Sequence, residues 1–272
     1  MSKTLVGGLL PLVGGCSLLV SIPDISSGLP TQGDAAVDAR GEKEADTPDA
    51  LPPASYAATV IADGPRVLYR FDETSGSVAT DAIGGPAASI GSGCTPGVAG
   101  VVSDGAALDF DGSTCAVTTT TPLDFDQRSP FTFEMWIKPR NVAGAAYRML
   151  FSRDGDTAGR QQFGAYVREG QLVFERWVGG LEVTAAAPIT AGVFTHVALV
   201  YDGGQLLVYL DGQKASSALD ARAQAKKPSP MAIGFSGLGE SFFAGAMDEF
   251  AIYDKALSAE RIRQHVEAGK PR

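Results

Sequence analysis

Phe163 to Trp177 reads FGAYVREGQLVFERW. Apolar and polar side chains alternate on both sides of Glu169-Gly170, a pair suited to the tight turn of a two-residue β-hairpin. With those two residues at the turn, Arg168 opposes Gln171 and Tyr166 opposes Val173. Side chains of a strand point alternately to its two faces. Phe163, Val167, Leu172 and Phe174 then share one face, the better core. Tyr166, Arg168, Glu175 and Trp177 share the other.

The same pattern extends outward from this hairpin. HVALVYDGGQLLVYLDG (His196–Gly212) folds back at Gly203-Gly204. That register gathers Val197, Leu199, Tyr201, Leu206, Val208 and Leu210 in the core and sends His196 and Tyr209 to the reverse face. FTFEMWIKP (Phe131–Pro139) buries Phe131, Phe133, Met135 and Ile137 and turns Glu134, Trp136 and Lys138 outward. RVLYRF (Arg66–Phe71) and AMDEFAIY (Ala246–Tyr253) alternate as well. From Tyr56 onward there are about a dozen such runs, parted by turn residues, which predicts two antiparallel sheets packed face to face. One helix is expected, at the C-terminal end. Ser258 can cap SAERIRQHVEAG, Glu260 suits its first turn, Gly269 closes it, and Ile262 and Val266 face the body.

The first 55 residues read differently. The chain of 272 residues carries a net charge of −9. That acidity repels a phosphate backbone, and no Lys/Arg cluster offsets it, so nucleic acid is excluded as a partner. Between Ser17 and Ser55, seven acids stand against two bases with no hydrophobic period. Such a segment buries too little apolar surface to offset its ordering entropy and reads as a tether. Before it, Lys3 is the only charge ahead of an uncharged run from Thr4 to Ile22. This is the layout of a secretory leader. Four glycines and Pro11 within the run make it a poor permanent transmembrane helix.

Val13-Gly14-Gly15-Cys16 resembles the lipobox of bacterial lipoproteins, in which the chain is cut before a cysteine that receives acyl chains. The resemblance implies a signal peptide over 1–15 and a lipidated Cys16 opening a tether over 16–55. Membrane contact is then through that anchor alone, and the sandwich occupies 56–272. An ordinary signal peptide containing a cysteine is the alternative. Ser17 rather than Asp after Cys16 points to the outer membrane of a cell envelope, with the domain periplasmic or surface-exposed. Setting Cys16 aside leaves Cys94 and Cys115 as an even pair in an oxidising compartment, a disulfide or else two free thiols.

Five phrases in order, YRFDETSG (Tyr69–Gly76), ALDFDG (Ala107–Gly112), SPFTFEMWIKP, FTHVALVYDGGQLLVYLDG and GAMDEFAIYDKALSAERI, resemble the laminin G-like, concanavalin A-like lectin/glucanase superfamily. The resemblance implies an all-β, jelly-roll β-sandwich with one short C-terminal helix, whose first and last strands are neighbours. It implies binding of carbohydrate or of an envelope or extracellular protein, often with a structural calcium ion. Asp248, in phase with Phe250 and Ile252, would point inward and need a partner. Asp72 and Asp111 are the residues expected to join it around Ca2+; backbone N–H groups are the alternative partner for Asp248.

No Glu-x-Asp-x-x-Glu-like run supports glycosidase chemistry. The Asp109/Asp111, Asp124/Asp126 and Asp154/Asp156 pairs sit among turn residues. No serine elbow is present, and only His196 and His265 are available as bases. The expected function is a non-catalytic glycan-binding module, with an adhesion domain of the same fold or a divergent glycoside hydrolase as alternatives. An aromatic platform with hydrogen-bonding neighbours suits the apolar face and hydroxyl rim of a sugar, so Tyr166, Arg168, Glu175, Trp177, His196 and Tyr209 are the candidate ligand residues.

Overall fold

The computed structural model describes residues 55–102, 105–120, 122, 125, 127–154, 161–224, 229–236 and 241–270. The leader, Cys16 and the tether up to residue 54 lie outside the described residues, as do Asp124, Asp126, Asp156 and the side chain of Asp154.

Helix α1 (Tyr56–Ala62) leads into β1 (Val67–Tyr69), β2 (Val78–Ala79), β3 (Ala88–Ile90), β4 (Cys94–Ala99), β5 (Ala106–Asp111) and β6 (Val117–Thr118). The long strands follow: β7 (Phe131–Pro139), β8 (Arg148–Asp154), β9 (Gln161–Arg168), β10 (Gln171–Val178), β11 (Leu181–Pro188), β12 (Thr195–Tyr201), β13 (Gln205–Leu210) and β14 (Gln213–Leu219). β15 (Met231–Ile233), a small hairpin of β16 (Phe235–Ser236) and β17 (Ser241–Phe242), β18 (Ala244–Tyr253) and α2 (Ala259–Gly269) complete the fold. One sheet runs β14-β13-β12-β7-β18-β5-β4, with β1 also paired to β18. The other runs β11-β10-β9-β8-β15-β6-β3-β2. The first and last strands are thus neighbours, antiparallel, with Leu68 opposite Ala251.

The hairpin registers agree with the alternation. Arg168 pairs with Gln171 and Tyr166 with Val173. Glu169 and Gly170 both have positive φ, 51° and 77°, as a type I′ turn demands. Val197 pairs with Leu210 and Leu199 with Val208. Between the sheets lies a core rich in phenylalanine. Phe133 stacks on Phe151 at 4.3 Å and Phe125 on Phe131 at 4.5 Å, with Phe163 tilted against Phe131 at 5.2 Å. Each of these buried rings contributes about 1.5–3 kcal/mol by leaving water. Cys94 and Cys115 form a disulfide that ties β4 to the loop before β6.

A second apolar layer covers the outside of the β7-containing sheet. Tyr56, Val60, Trp136, Val200, Tyr209, Ile262 and Val266 are all buried there, beneath the two helices. α2 begins as expected, with the Ser258 hydroxyl accepting the Arg261 N–H at 3.2 Å. Its final residue must be small: a Cβ on Gly269 would meet Trp136 and Tyr56 carbons at 2.8 Å. α1 is an addition to the sequence reading. Its seven residues, YAATVIA, have no amphipathic length to reveal them, and Ser55 supplies the cap by accepting the Ala58 N–H.

A buried polar chain fastens this layer. Glu134 projects from the outer face of β7 and is fully buried. His196 Nε2 lies 2.7 Å from its Oε1, and His265 Nδ1 lies 2.8 and 2.9 Å from its two oxygens. The Tyr253 hydroxyl donates to its Oε2 at 2.9 Å. His265 Nε2 then reaches Asp63 Oδ2, just past α1, at 2.9 Å, and Arg261 Nε donates to the same oxygen at 2.7 Å. β7, β12, β18, α1 and α2 all meet at this chain. Removing one member of a buried charged cluster costs about 3–5 kcal/mol, because the others are left desolvated without a partner. Glu134→Ala should therefore lower the free energy of unfolding in urea by about that amount; a loss below about 1 kcal/mol, the scale of a surface ion pair, would contradict the role given to Glu134.

Candidate functional site

The two outer faces of the sandwich differ. That of the β7 sheet is closed by the helices. That of the β8–β11 sheet carries a small cluster of Met149, Tyr166 and Val173, over which a cavity of about 360 Å³ opens. Tyr147, Tyr166, Arg168, Val173, Glu182 and Thr184 line it. Strand geometry places them. Tyr166 opposes Val173, Val173 opposes Ala186, and Glu175 opposes Thr184, so alternate residues of β9, β10 and β11 point into one concavity. Tyr147 closes one side from the loop before β8. Its ring lies 4.8 Å from that of Tyr166, edge to face. The Arg168 guanidinium stacks over Tyr147 at 4.6 Å and donates to its hydroxyl at 2.7 Å. Burial, then the charges of Glu175 and Glu182, push the Tyr166 hydroxyl well above its ordinary range, so it is a neutral donor and acceptor. Burial and then Glu182, by charge and by hydrogen bond, raise Glu175 to about 8.

The six candidate ligand residues therefore separate. Tyr166 and Arg168 are in the cavity, with Glu175 and Trp177 further along the same face. His196 and Tyr209 are on the other sheet, buried under the helix layer, and His196 is bound to Glu134. Alternation placed these two on a non-core face correctly, but that face has its own cover. Glu182 and Thr184 were missed, although Gly179-Gly180 is a hairpin signal that puts Glu182 opposite Trp177. Tyr147 comes from a loop whose course periodicity does not fix.

The three aspartates expected around calcium do not converge in the fold. Asp248 does not share its phase with Phe250. A bulge sets Glu249 and Phe250 together against Met135, with Glu249 at φ 53°, and the extra residue turns Asp248 to the side of Trp136. There its Oδ2 accepts the Val101 N–H at 3.0 Å, the backbone alternative. Asp72 lies near it, but the Arg70 guanidinium bridges Asp72 at 2.8 Å and Glu249 at 2.9 Å. Asp111 pairs with Ala244, four residues along β18 from Asp248, which is about 13 Å of strand. It spends its oxygens on the backbone of Ser113, Thr114 and Cys115, and those bonds outweigh burial and hold it well below the usual carboxylate range. Among the described residues no three His, Cys, Asp or Glu side chains group as metal ligands. Asp72, Asp111 and Asp248 do not fit one ion, and Asp72 is already paired with the Arg70 guanidinium. Asp109, the partner of Asp111 in sequence, is held by Arg140 at 2.8 Å.

The model of the concanavalin A-like lectin/glucanases superfamily, a laminin G-type domain, matches residues 111–263. The chain belongs to this superfamily. Solved structures similar to this sandwich include two named as binding domains and one domain of an arabinanase. The binding domain of Paraclostridial Mosquitocidal Protein 1 aligns with a TM-score of 0.58 and 18% identity, over 71% of this chain and 50% of that one. The ligand binding domain of botulinum neurotoxin serotype D, in complex with N-acetylneuraminic acid, gives 0.61 and 12%, over 78% and 52%. Domain 4 of AbnA, an extracellular arabinanase of Geobacillus stearothermophilus, in complex with arabinotriose, gives 0.57 and 18%, over 74% and 98%. The chain spans about half the length of the toxin domains it matches. At these identities the likeness is one of fold.

The titrating groups of the superfamily domain predict its pH profile. Burial raises Glu134, but the hydrogen bonds and charges of His196 and His265 outweigh it and hold it at about 2. Its stabilising effect is complete above the ordinary Glu value of 4.5 and fades as pH falls. His265 is shifted the other way. Burial lowers it, Glu134 and Asp63 more than restore it, and its contribution fades as pH rises past its folded value. Burial holds Asp248 and Glu249 at about 7. The folded chain therefore keeps protons that the unfolded chain releases, and stability declines as pH rises from about 4 through 7. All these terms favour mildly acidic solution. The melting temperature should peak near pH 5 and fall toward pH 8, and a peak at or above neutrality would contradict these assignments. Calcium and chelator should leave it unmoved.

Proposed function

We propose that the chain is a non-catalytic carbohydrate-binding module on a cell-envelope lipoprotein, and that the outer face of β8–β11 takes the glycan. The observation that carries this reading is the cavity on the uncovered sheet. Tyr147 and Tyr166 offer ring surface for the C–H face of a sugar. Arg168, Glu182 and Thr184 offer donors and acceptors for its hydroxyls. Ligand sites commonly combine a concave apolar floor with a few convergent polar groups, and 360 Å³ lies within their usual range. The similar structures solved with N-acetylneuraminic acid and with arabinotriose support a glycan over a protein partner.

Of the two carboxyls on this face, Glu182 lines the cavity and Glu175 lies further along β10, opposite Thr184. His196 and His265 are committed to Glu134 on the closed face. The lipoprotein context rests on Val13–Cys16 and the acidic tether. Two acyl chains on Cys16 would anchor the chain stably, since each buried CH₂ contributes about 0.8 kcal/mol.

Two measurements test the proposal. On a glycan array, Tyr147→Ala and Arg168→Ala should each weaken binding at least about tenfold, the scale of losing one stacked or charged contact. Tyr209→Ala should lower the melting temperature and leave the glycan profile in place. An array signal indifferent to both cavity variants would remove the site. Expressed with its leader in a bacterial host, the chain should incorporate labelled palmitate, and Cys16→Ala should abolish the label; equal labelling of the variant would refute lipidation there.

A further inference from the structure

The charges around the cavity are unequal. Glu182 stands on its β11 wall and Glu169 at its rim, while Arg168 is the one cation among the described residues that line it. Glu175 adds a second carboxyl further along the same face, diagonal to Glu182 across the β10–β11 pair. The guanidinium of Arg168 is already stacked on Tyr147 and bonded to its hydroxyl, with a Glu169 oxygen 3.8 Å away. A ligand carboxylate drawn to Arg168 would therefore also face Glu169 and Glu182. In a partly desolvated site a like charge costs more than in water. A hydroxyl meets no such penalty, and two acidic side chains give it acceptors.

Resting on the glycan-binding reading above, we infer that the cavity selects neutral, polyhydroxylated glycans and rejects those bearing uronate or sialate carboxylates. Glu182 is the group assigned to the sugar hydroxyls.

The test uses the full chain on an array holding both neutral and carboxylated oligosaccharides, followed by titration of the tightest ligand. The expected ligand is neutral, bound at least about tenfold more tightly than any carboxylated glycan. Glu182→Gln, which removes a charge that opposes a ligand carboxylate, should narrow that preference. A carboxylated ligand in first place, lost on mutation of Arg168, would overturn the selectivity and leave the glycan site standing. An unchanged preference in Glu182→Gln would overturn the assignment of Glu182. A silent array would overturn the glycan reading itself, and the inference with it.

Discussion

Glu134 is a carboxylate with no route to water, and the organisation of the molecule follows from how it is satisfied. β7 is a central strand, and alternation sends Glu134 to its outer side, where an isolated buried charge would be untenable. Two histidines and a tyrosine hydroxyl converge on its two oxygens. One of those histidines belongs to α2 and passes the connection on to Asp63, beside α1. The charge therefore requires the helices, and the helices bring the apolar layer of Tyr56, Trp136, Tyr209 and Val266 with them. One side of the sandwich is closed in consequence.

Recognition is left to the other side. There β9, β10 and β11 form consecutive hairpins, whose two-residue turns fix register residue by residue. Rigid strands suit a binding face, because the side chains they carry lose little freedom when a ligand arrives. The one loop element, Tyr147, is held to the sheet by Arg168 and Tyr166. The polar groups of the two faces also differ in kind. On the closed side they bond one another from five elements. On the open side Arg168, Glu182 and Thr184 border an unfilled concavity.

Much of this was legible in the sequence, for reasons that differ by element. The Glu169-Gly170 and Gly203-Gly204 hairpins were readable to the exact pair, because a two-residue turn and a period of two leave one register. α2 was readable from its cap and its Ile262/Val266 stripe. The helix layer over the outward residues was not, since α1 is only about two turns long, and the partners of Glu134 come from positions 196, 253 and 265, with Asp63 reached through His265. Contacts spanning up to 202 residues carry no local signature. His196 and Tyr209 were accordingly placed on the right face and given the wrong role. Asp248 failed for another reason: one extra residue at Glu249 reverses the phase of everything before it, and a bulge of this kind leaves no mark on an otherwise regular strand.

The division between the two faces can be observed directly, because each carries one of the two tryptophans. Trp136 is 3% exposed beneath the helices, and Trp177 is partly exposed on the open sheet. Hydroxyl-radical footprinting of the unliganded chain, read by mass spectrometry, should oxidise Trp177 and spare Trp136. Equal oxidation of the two in the native protein would mean that the β7 face is open, and the assignment of recognition to β8–β11 would fall with it.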